Sequence, residues 1–257
     1  MKPKIIILAA LLVLVALPSC TASDFPGAPW NSQDAAGDKG DKGTGFDEPV
    51  NITDLVTVKI SADGIVYLQY HEYKLLPETA LNYTRQTRAI AEVHINPRQQ
   101  GDYWECMVKW IEPLETVYYN MGGESSVPPT GVLGSPSSNP GGNNGYDVVW
   151  GDGFDIVSDD SLTRLEDGYL TIRYRTWWGE HPVQHNFSIR NTSDGPFVFR
   201  IVQNSQGDAH DVLSDALMCF DITSLANIIN SDTTITINWK KLDGSYGSKD
   251  FEYKAGK

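Results

Sequence analysis

Basic charge is scarce in this sequence: 20 Lys and Arg stand against 33 Asp and Glu, a formal charge of −13 over 257 residues. Such a surface repels phosphate backbones and anionic headgroups, which argues against nucleic acid binding and against purely electrostatic membrane adsorption. Cysteine is scarcer still, with only Cys20, Cys106 and Cys219, far apart in the chain. Cys106 alternates with Trp104, Val108 and Trp110, the pattern of a small buried hydrophobe on a strand. A bridge to Cys219 would require two separate cores to bring the two Cα atoms within about 7 Å, so pairing stays open but is not favoured. Familiar catalytic signatures are also missing. There is no Gly-x-Ser-x-Gly elbow, no Ser-x-x-Lys pair and no helix on which to mount a His-Glu-x-x-His pair, which counts against the common hydrolases. Helical periodicity is absent too: Leu213 to Leu225 fits a helix no better than a strand, because Met218, Phe220 and Ile222 alternate.

One long apolar run is present, at the N-terminus. Lys2 and Lys4 precede Ile5 to Leu17, and a run of about 13 residues falls well short of the roughly 20 that span a bilayer, so it reads as a cleaved export signal. Leu17-Pro18-Ser19-Cys20 resembles the site at which lipoprotein signal peptidase cuts in front of a diacylated cysteine. Cys20 is therefore the expected lipidation site. Loss of residues 1–19 and their two lysines leaves 238 residues with 18 basic and 33 acidic side chains, a charge of −15. Attachment to the membrane is then expected through the N-terminal lipid, since each buried acyl methylene contributes roughly 0.8 kcal/mol. A chain of 238 residues is comfortable for two domains.

Residues 20–49 are rich in Gly, Asp, Ser and Ala and nearly free of apolar side chains after Trp30, the composition of a flexible tether. From 50 to 120 the pattern turns to period two. Thr87, Ala89, Ala91, Val93 and Ile95 share one face while Gln86, Arg88, Glu92 and His94 share a face expected to be wet. Asp63-Gly64 reads as a hairpin turn between Val56–Ile60 and a strand over Ile65–Tyr73. About four to six antiparallel strands in so short a segment hide their edges best by closing, so a small barrel of the oligonucleotide/oligosaccharide-binding (OB) shape is expected. Residues 121–145, dominated by Gly, Pro, Ser and Asn, form either a linker or a loop early in the next domain. Residues 146–257 return to short alternating runs with turns at Asp167-Gly168, Asn191–Gly195, Gln206–Asp208 and Asp243-Gly244, as in an antiparallel β-sandwich. The fold class read from the sequence is all-β, barrel then sandwich.

Candidate chemistry is thin. His181 and His185 on one strand face would lie about 13 Å apart, too far to share a metal, so no metal is expected there. Asp152, Asp155, Asp159 and Asp160 cluster without the fixed spacing of a calcium loop and read as turn residues. Asp208 with Asp211, or Glu166 with Asp167, could act as acid and base in glycoside cleavage only at suitable separation in space. Trp150, Tyr169, Tyr174, Trp177 and Trp178 concentrate aromatic surface in the second domain. Consecutive Trp177 and Trp178 must point to opposite faces of a strand, so one is expected to be exposed as a ligand contact. No catalytic residue and no cofactor is assigned.

The lipobox, Asp160-Ser161-Leu162 leading to Gly168–Ile172, Asn204 through Gly207-Asp208, and the closing Trp239–Tyr253 hairpin together resemble the NigD-like lipoproteins of Bacteroidetes. The resemblance implies an N-terminal barrel and a C-terminal sandwich, an outer-membrane lipoprotein on the periplasmic or cell-surface face, and a non-enzymatic binding role toward a protein or glycan partner, with bacteriocin immunity as one form. The contrasting expectations are a surface glycan-binding lipoprotein and an envelope hydrolase using dispersed carboxylates. Asp160-Ser161-Leu162 and Asp232-Thr233-Thr234 are similar to the triplets these bacteria O-glycosylate, which makes Ser161 and Thr233 candidate acceptors. Ser23-Asp24 is similar to their short acidic surface-export signals.

Overall fold

The computed structural model describes residues 45–119, 151–157 and 161–255. Strands β1 (Val50–Ile60), β2 (Val66–Tyr70), β3 (Tyr73–Pro77), β4 (Thr87–Gln100) and β5 (Tyr103–Pro113) close into a barrel in the order β1-β2-β3-β5-β4. Closure gives each of the five strands a hydrogen-bonded neighbour on both sides. It uses one pairing the alternation did not reveal: β3 runs parallel to β5. The Asp63-Gly64 turn forms, with Gly64 at φ +80° donating to the Ser61 carbonyl at 3.0 Å. The expected strand over Ile65–Tyr73 instead divides into β2 and β3. Its turn is carried by His71 at φ +49°, whose carbonyl accepts from Gln69 Nε2 at 2.6 Å. No glycine marks that turn, which is why periodicity runs straight through it. A register shift between Glu92 and Val93 re-aims two neighbouring side chains, as bulges do. Lys109 and Trp110 then both bond the Glu92 carboxylate, at 2.6 and 2.9 Å.

The second domain contains β6 (Thr116–Tyr118), β7 (Asp155–Ile156), β8 (Arg164–Glu166), β9 (Tyr169–Trp178), β10 (Asn186–Asn191), β11 (Val198–Asn204), β12 (Val212–Asp221), β13 (Thr233–Lys240) and β14 (Tyr246–Tyr253), with a 3-10 turn at Thr223–Asn227. One sheet runs β6-β12-β9-β7 with β8 also on β9, and the other runs β10-β11-β13-β14. Most pairs are antiparallel; β6–β12 and β11–β13 are parallel. Thr116–Tyr118, inside the 50–120 stretch expected for the barrel, thus belongs to a sandwich sheet. The Gly- and Pro-rich segment 121–145, itself outside the described residues, therefore follows the first sandwich strand in chain order. Between the sheets lies an aromatic core in which Phe154, fully buried, meets Tyr174, Phe187 and Trp239 with ring centroids 5.8–6.4 Å apart.

The barrel face toward the sandwich departs from alternation. Leu55, Val56, Thr57 and Val58 are buried in succession, as are Arg88, Ala89, Ile90 and Ala91. Even-numbered Leu68 and odd-numbered Ala89 fill the barrel core, while Leu55 and Ile90 point outward and pack with Leu162, Leu114 and Leu217 across the domain junction. The face expected to be wet is dry at this end because the sandwich covers it. Arg88, placed there by the alternation, is fully buried rather than solvated.

The β8–β9 hairpin tip closes the junction. Asp167 at φ +53° and Gly168 at φ +79° form the turn, the conformation an Asp-Gly pair adopts readily. Glu166 in front of it accepts from Arg88 Nη2 at 2.8 Å and from Arg164 Nε at 3.1 Å, and its other oxygen meets His71 Nδ1 at 3.1 Å. Asp167 pairs with Lys59 Nζ at 2.5 Å. Arg164 Nη1 reaches Asp54 at 3.1 Å, and its Nη2 donates to the Leu55 carbonyl at 2.9 Å. Charged groups of opposite sign from both domains are thereby interleaved in a partly dry seam, where such pairs are coupled more strongly than on the surface.

Candidate functional site

A shallow open groove of about 380 Å³ lies at one end of the sandwich, where the Asp152–Gly153 segment, the end of β9, the Ser205 turn and the β13–β14 hairpin converge. Its floor is held by backbone contacts. Asp152 N donates to the Gln203 carbonyl at 2.9 Å and Phe154 N to the Lys240 carbonyl at 3.0 Å. Glycine is required at 153 because a Cβ there would fall 2.3 Å from the Lys241 carbonyl oxygen. Asp152 Oδ2 accepts from Ser205 N at 2.8 Å and Ser205 Oγ at 2.6 Å. Burial alone would push that carboxyl up, but the two Ser205 bonds, with help from Lys240 and His210, hold it below its ordinary value. Asp243, across the groove, is likewise held low, through two bonds from Ser245. A glycosidase acid needs the opposite, a carboxyl kept protonated near neutrality. Neither groove carboxyl is shifted in that direction.

Trp177 forms one wall. It is 36% exposed and stacks on His210 with centroids 6.3 Å apart and planes at 24°. Trp178 turns the other way: its ring lies 4.1 Å from His185 and nearly parallel to it, and its Nε1 donates to the Ser214 carbonyl at 3.3 Å. The two tryptophans are thus split between solvent and interior, as a strand requires.

The histidines are not a strand pair. Gly179–His185 is a loop, His181 is exposed and His185 is buried. His185 Nε2 faces Asp208 Oδ2 at 3.1 Å, and Gln203 Nε2 donates to His185 Nδ1 at 2.6 Å, with Thr176 Oγ1 on the far side of Gln203. Both ring nitrogens are used, so the imidazole serves as a cross-brace and has no lone pair left for a metal or a nucleophile. Asp208 would be raised by burial, yet backbone N–H groups of Gly179, Val183 and Ala209 together with His185 keep it low. Sequence reasoning missed this network. Its one outward sign is a polar residue, Gln203, at an inward position of β11.

The remaining candidates separate. Asp208 is committed to His185, while Asp211 caps Glu180 N at 2.9 Å. Glu166 and Asp167 are committed to the domain junction. Asp155 accepts weakly from Leu242 N at 3.4 Å. Asp159, Asp160, Trp150 and Cys20 lie outside the described residues. Among the described residues no group of three potential metal ligands converges. Ser161 is exposed on a turn with Leu162 buried behind it, and Thr233 starts β13 opposite Tyr253. Tyr169 and Tyr174 are buried, the former reaching the Gln86 carbonyl at 3.3 Å.

Cys106 and Cys219 are unpaired and buried in different domains, the first in the barrel core and the second in the β12–β9 sheet. Burial pushes the Cys106 thiol up to about 12 and that of Cys219 up to about 11. A thiol reagent such as dithionitrobenzoate at pH 8 should consequently label neither in the folded chain and both in guanidinium. Rapid native labelling of either would contradict this packing.

A closed barrel docked through ion pairs on a two-sheet sandwich defines the class as a two-part, all-β protein. Residues 146–253 match the NigD-like C-terminal beta sandwich domain, so this second domain is NigD-like. No curated protein matches the chain. A toxin-related protein from Parabacteroides distasonis superposes with a TM-score of 0.57 at 20% identity, covering 80% of this chain and 95% of its own. A protein of unknown function from Bacteroides vulgatus gives 0.54 at 13% identity over 80% and 92%. At these identities the likeness concerns the fold. A NigD-like immunity protein from Bacteroides caccae gives 0.46 at 18% identity over 79% and 97%.

Proposed function

We propose that this NigD-like chain is a lipid-anchored protein of the bacterial outer envelope that binds a protein or glycan partner without chemically transforming it. The observation that carries the reading is the NigD-like sandwich at 146–253, set behind a leader that ends in the lipobox Leu17–Cys20. Two further features support it. The carboxylates that the sequence nominates for acid and base, Glu166, Asp167, Asp208 and Asp211, are engaged in ion pairs or backbone bonds, and no helix among the described residues is long and apolar enough to cross a membrane. Attachment then depends on acyl chains on Cys20.

Exporting residues 21–257 behind a cleavable non-lipoprotein leader, so that neither Cys20 nor the apolar run Ile5–Leu17 remains, should move the protein from the detergent phase to the aqueous phase in Triton X-114 partitioning, essentially completely. Retention of the variant in the detergent phase would defeat the anchor. Bacteriocin immunity would be one form of such binding. A deletion strain whose sensitivity to the matching toxin is unchanged excludes that form.

A further inference from the structure

The geometry points to the groove beside Trp177 as a binding site for an uncharged saccharide, one or two sugar rings of an oligosaccharide. This deepens the anchored-binder reading and rests on it. Three observations converge. Trp177 offers a flat, partly exposed ring whose position is set by its stack on His210, and a flat aromatic face suits the apolar face of a pyranose. The polar residues around it carry both signs: Asp152, Asp243 and Lys241 line the same space.

Their engagements leave usable atoms. Each carboxylate gives one oxygen to a neighbouring serine; Asp152 Oδ1 and the Lys241 ammonium take no hydrogen bond among the described residues, and Lys241 lies near enough to Asp243 to help hold its carboxyl low. Lys240 is already tied to the Gly151 carbonyl at 3.1 Å. A cationic ligand would meet Lys241 and an anionic one would meet Asp152 and Asp243. Sugar hydroxyls donate to the carboxylates and accept from the ammonium, so a neutral polyol pairs with all three. Clamping of Asp152 through its backbone and Ser205 means that little order has to be gained on binding, which favours affinity in so open a site. The volume, about 380 Å³, is at the small end for ligand sites and matches a short saccharide rather than a folded partner.

The test uses the full mature lipoprotein in detergent micelles against an array of neutral oligosaccharides, followed by isothermal titration with the best of them. Trp177→Ala should weaken that sugar by at least about tenfold. Lys241→Ala, a milder surface change, should weaken it several-fold. Trp110→Ala, on the barrel, should leave it unchanged. Circular dichroism melts of the three variants report that each is folded. The assignment is overturned if no neutral saccharide binds, if binding survives Trp177→Ala in the folded variant, or if only charged glycans or peptides bind. The partitioning of the chain that lacks the leader and Cys20 is independent of all of these, so loss of the sugar assignment with the anchor intact leaves the broader reading standing.

Discussion

Glu166→Gln should lower the stability of the folded chain by about 3–5 kcal/mol, the cost of leaving a buried charge without its partner. Arg88 is fully buried, its Nη1 bonds only the Thr57 hydroxyl, and its Nε has no partner. The Glu166 carboxylate is thus its sole counter-ion among the described contacts. Guanidinium denaturation of the intact chain measures the loss. Replacing both members, Arg88→Met with Glu166→Gln, should recover much of it, because two charges then no longer need compensation while Arg164 retains Asp54. A single variant within 1 kcal/mol of the parent would show that the junction is solvated rather than dry.

The same carboxylate sets an acid limit. Burial would raise Glu166, but its bond to His71 and the nearby Arg164 and Arg88 guanidinium groups outweigh this and hold it far below the ordinary glutamate value. A depressed folded-state value means that the unfolded chain takes up the proton first. The contribution is complete above the unfolded value of about 4.3 and is lost as pH falls through the lower folded one. Stability should therefore drop steadily below about pH 5, and Glu166→Gln should flatten that limb. An unchanged acid slope in the variant would assign the effect to other carboxylates such as Asp215, which the Arg175 and Arg173 contacts also hold low against burial.

Phe154→Ala is expected to cost about 3–5 kcal/mol, the range for deleting a buried aromatic whose cavity cannot collapse. The ring sits among Tyr174, Phe187 and Trp239, and its own backbone N–H is tied to Lys240. Surrounding strands fix those neighbours, so the void should persist. Phe154→Leu, which keeps most of the volume, should cost under about 1.5 kcal/mol. Since Phe154 follows the Asp152–Gly153 floor directly, the Ala variant should also loosen the groove, visible as faster amide exchange at 152–154. Equal stability of the Ala and Leu variants would mean that this core is not packed as described.

Much of this protein is legible along the chain, and the limits follow from particular residues. Ala89, Ala91, Val93 and Ile95 alternate, and they do line the barrel. Ile90 and Leu55 break the rule, because a second surface, built from Leu162 and Leu217 far along the chain, covers the outer face. His71 takes a left-handed turn without glycine, so its hairpin has no compositional mark. Gln203 and His185 pair across a loop and a strand that local pattern does not bring together.

The order of residues alone dictated the β class, the barrel followed by a sandwich, the Asp-Gly turns and the split of Trp177 from Trp178, since each follows from a period of two or from backbone freedom at one position. Which polar side chains are buried, which carboxylates are already engaged, and where an aromatic wall meets free hydrogen-bonding atoms were settled by tertiary packing. Desolvation and ion pairing act through space between groups distant in the chain, and no local pattern encodes that distance.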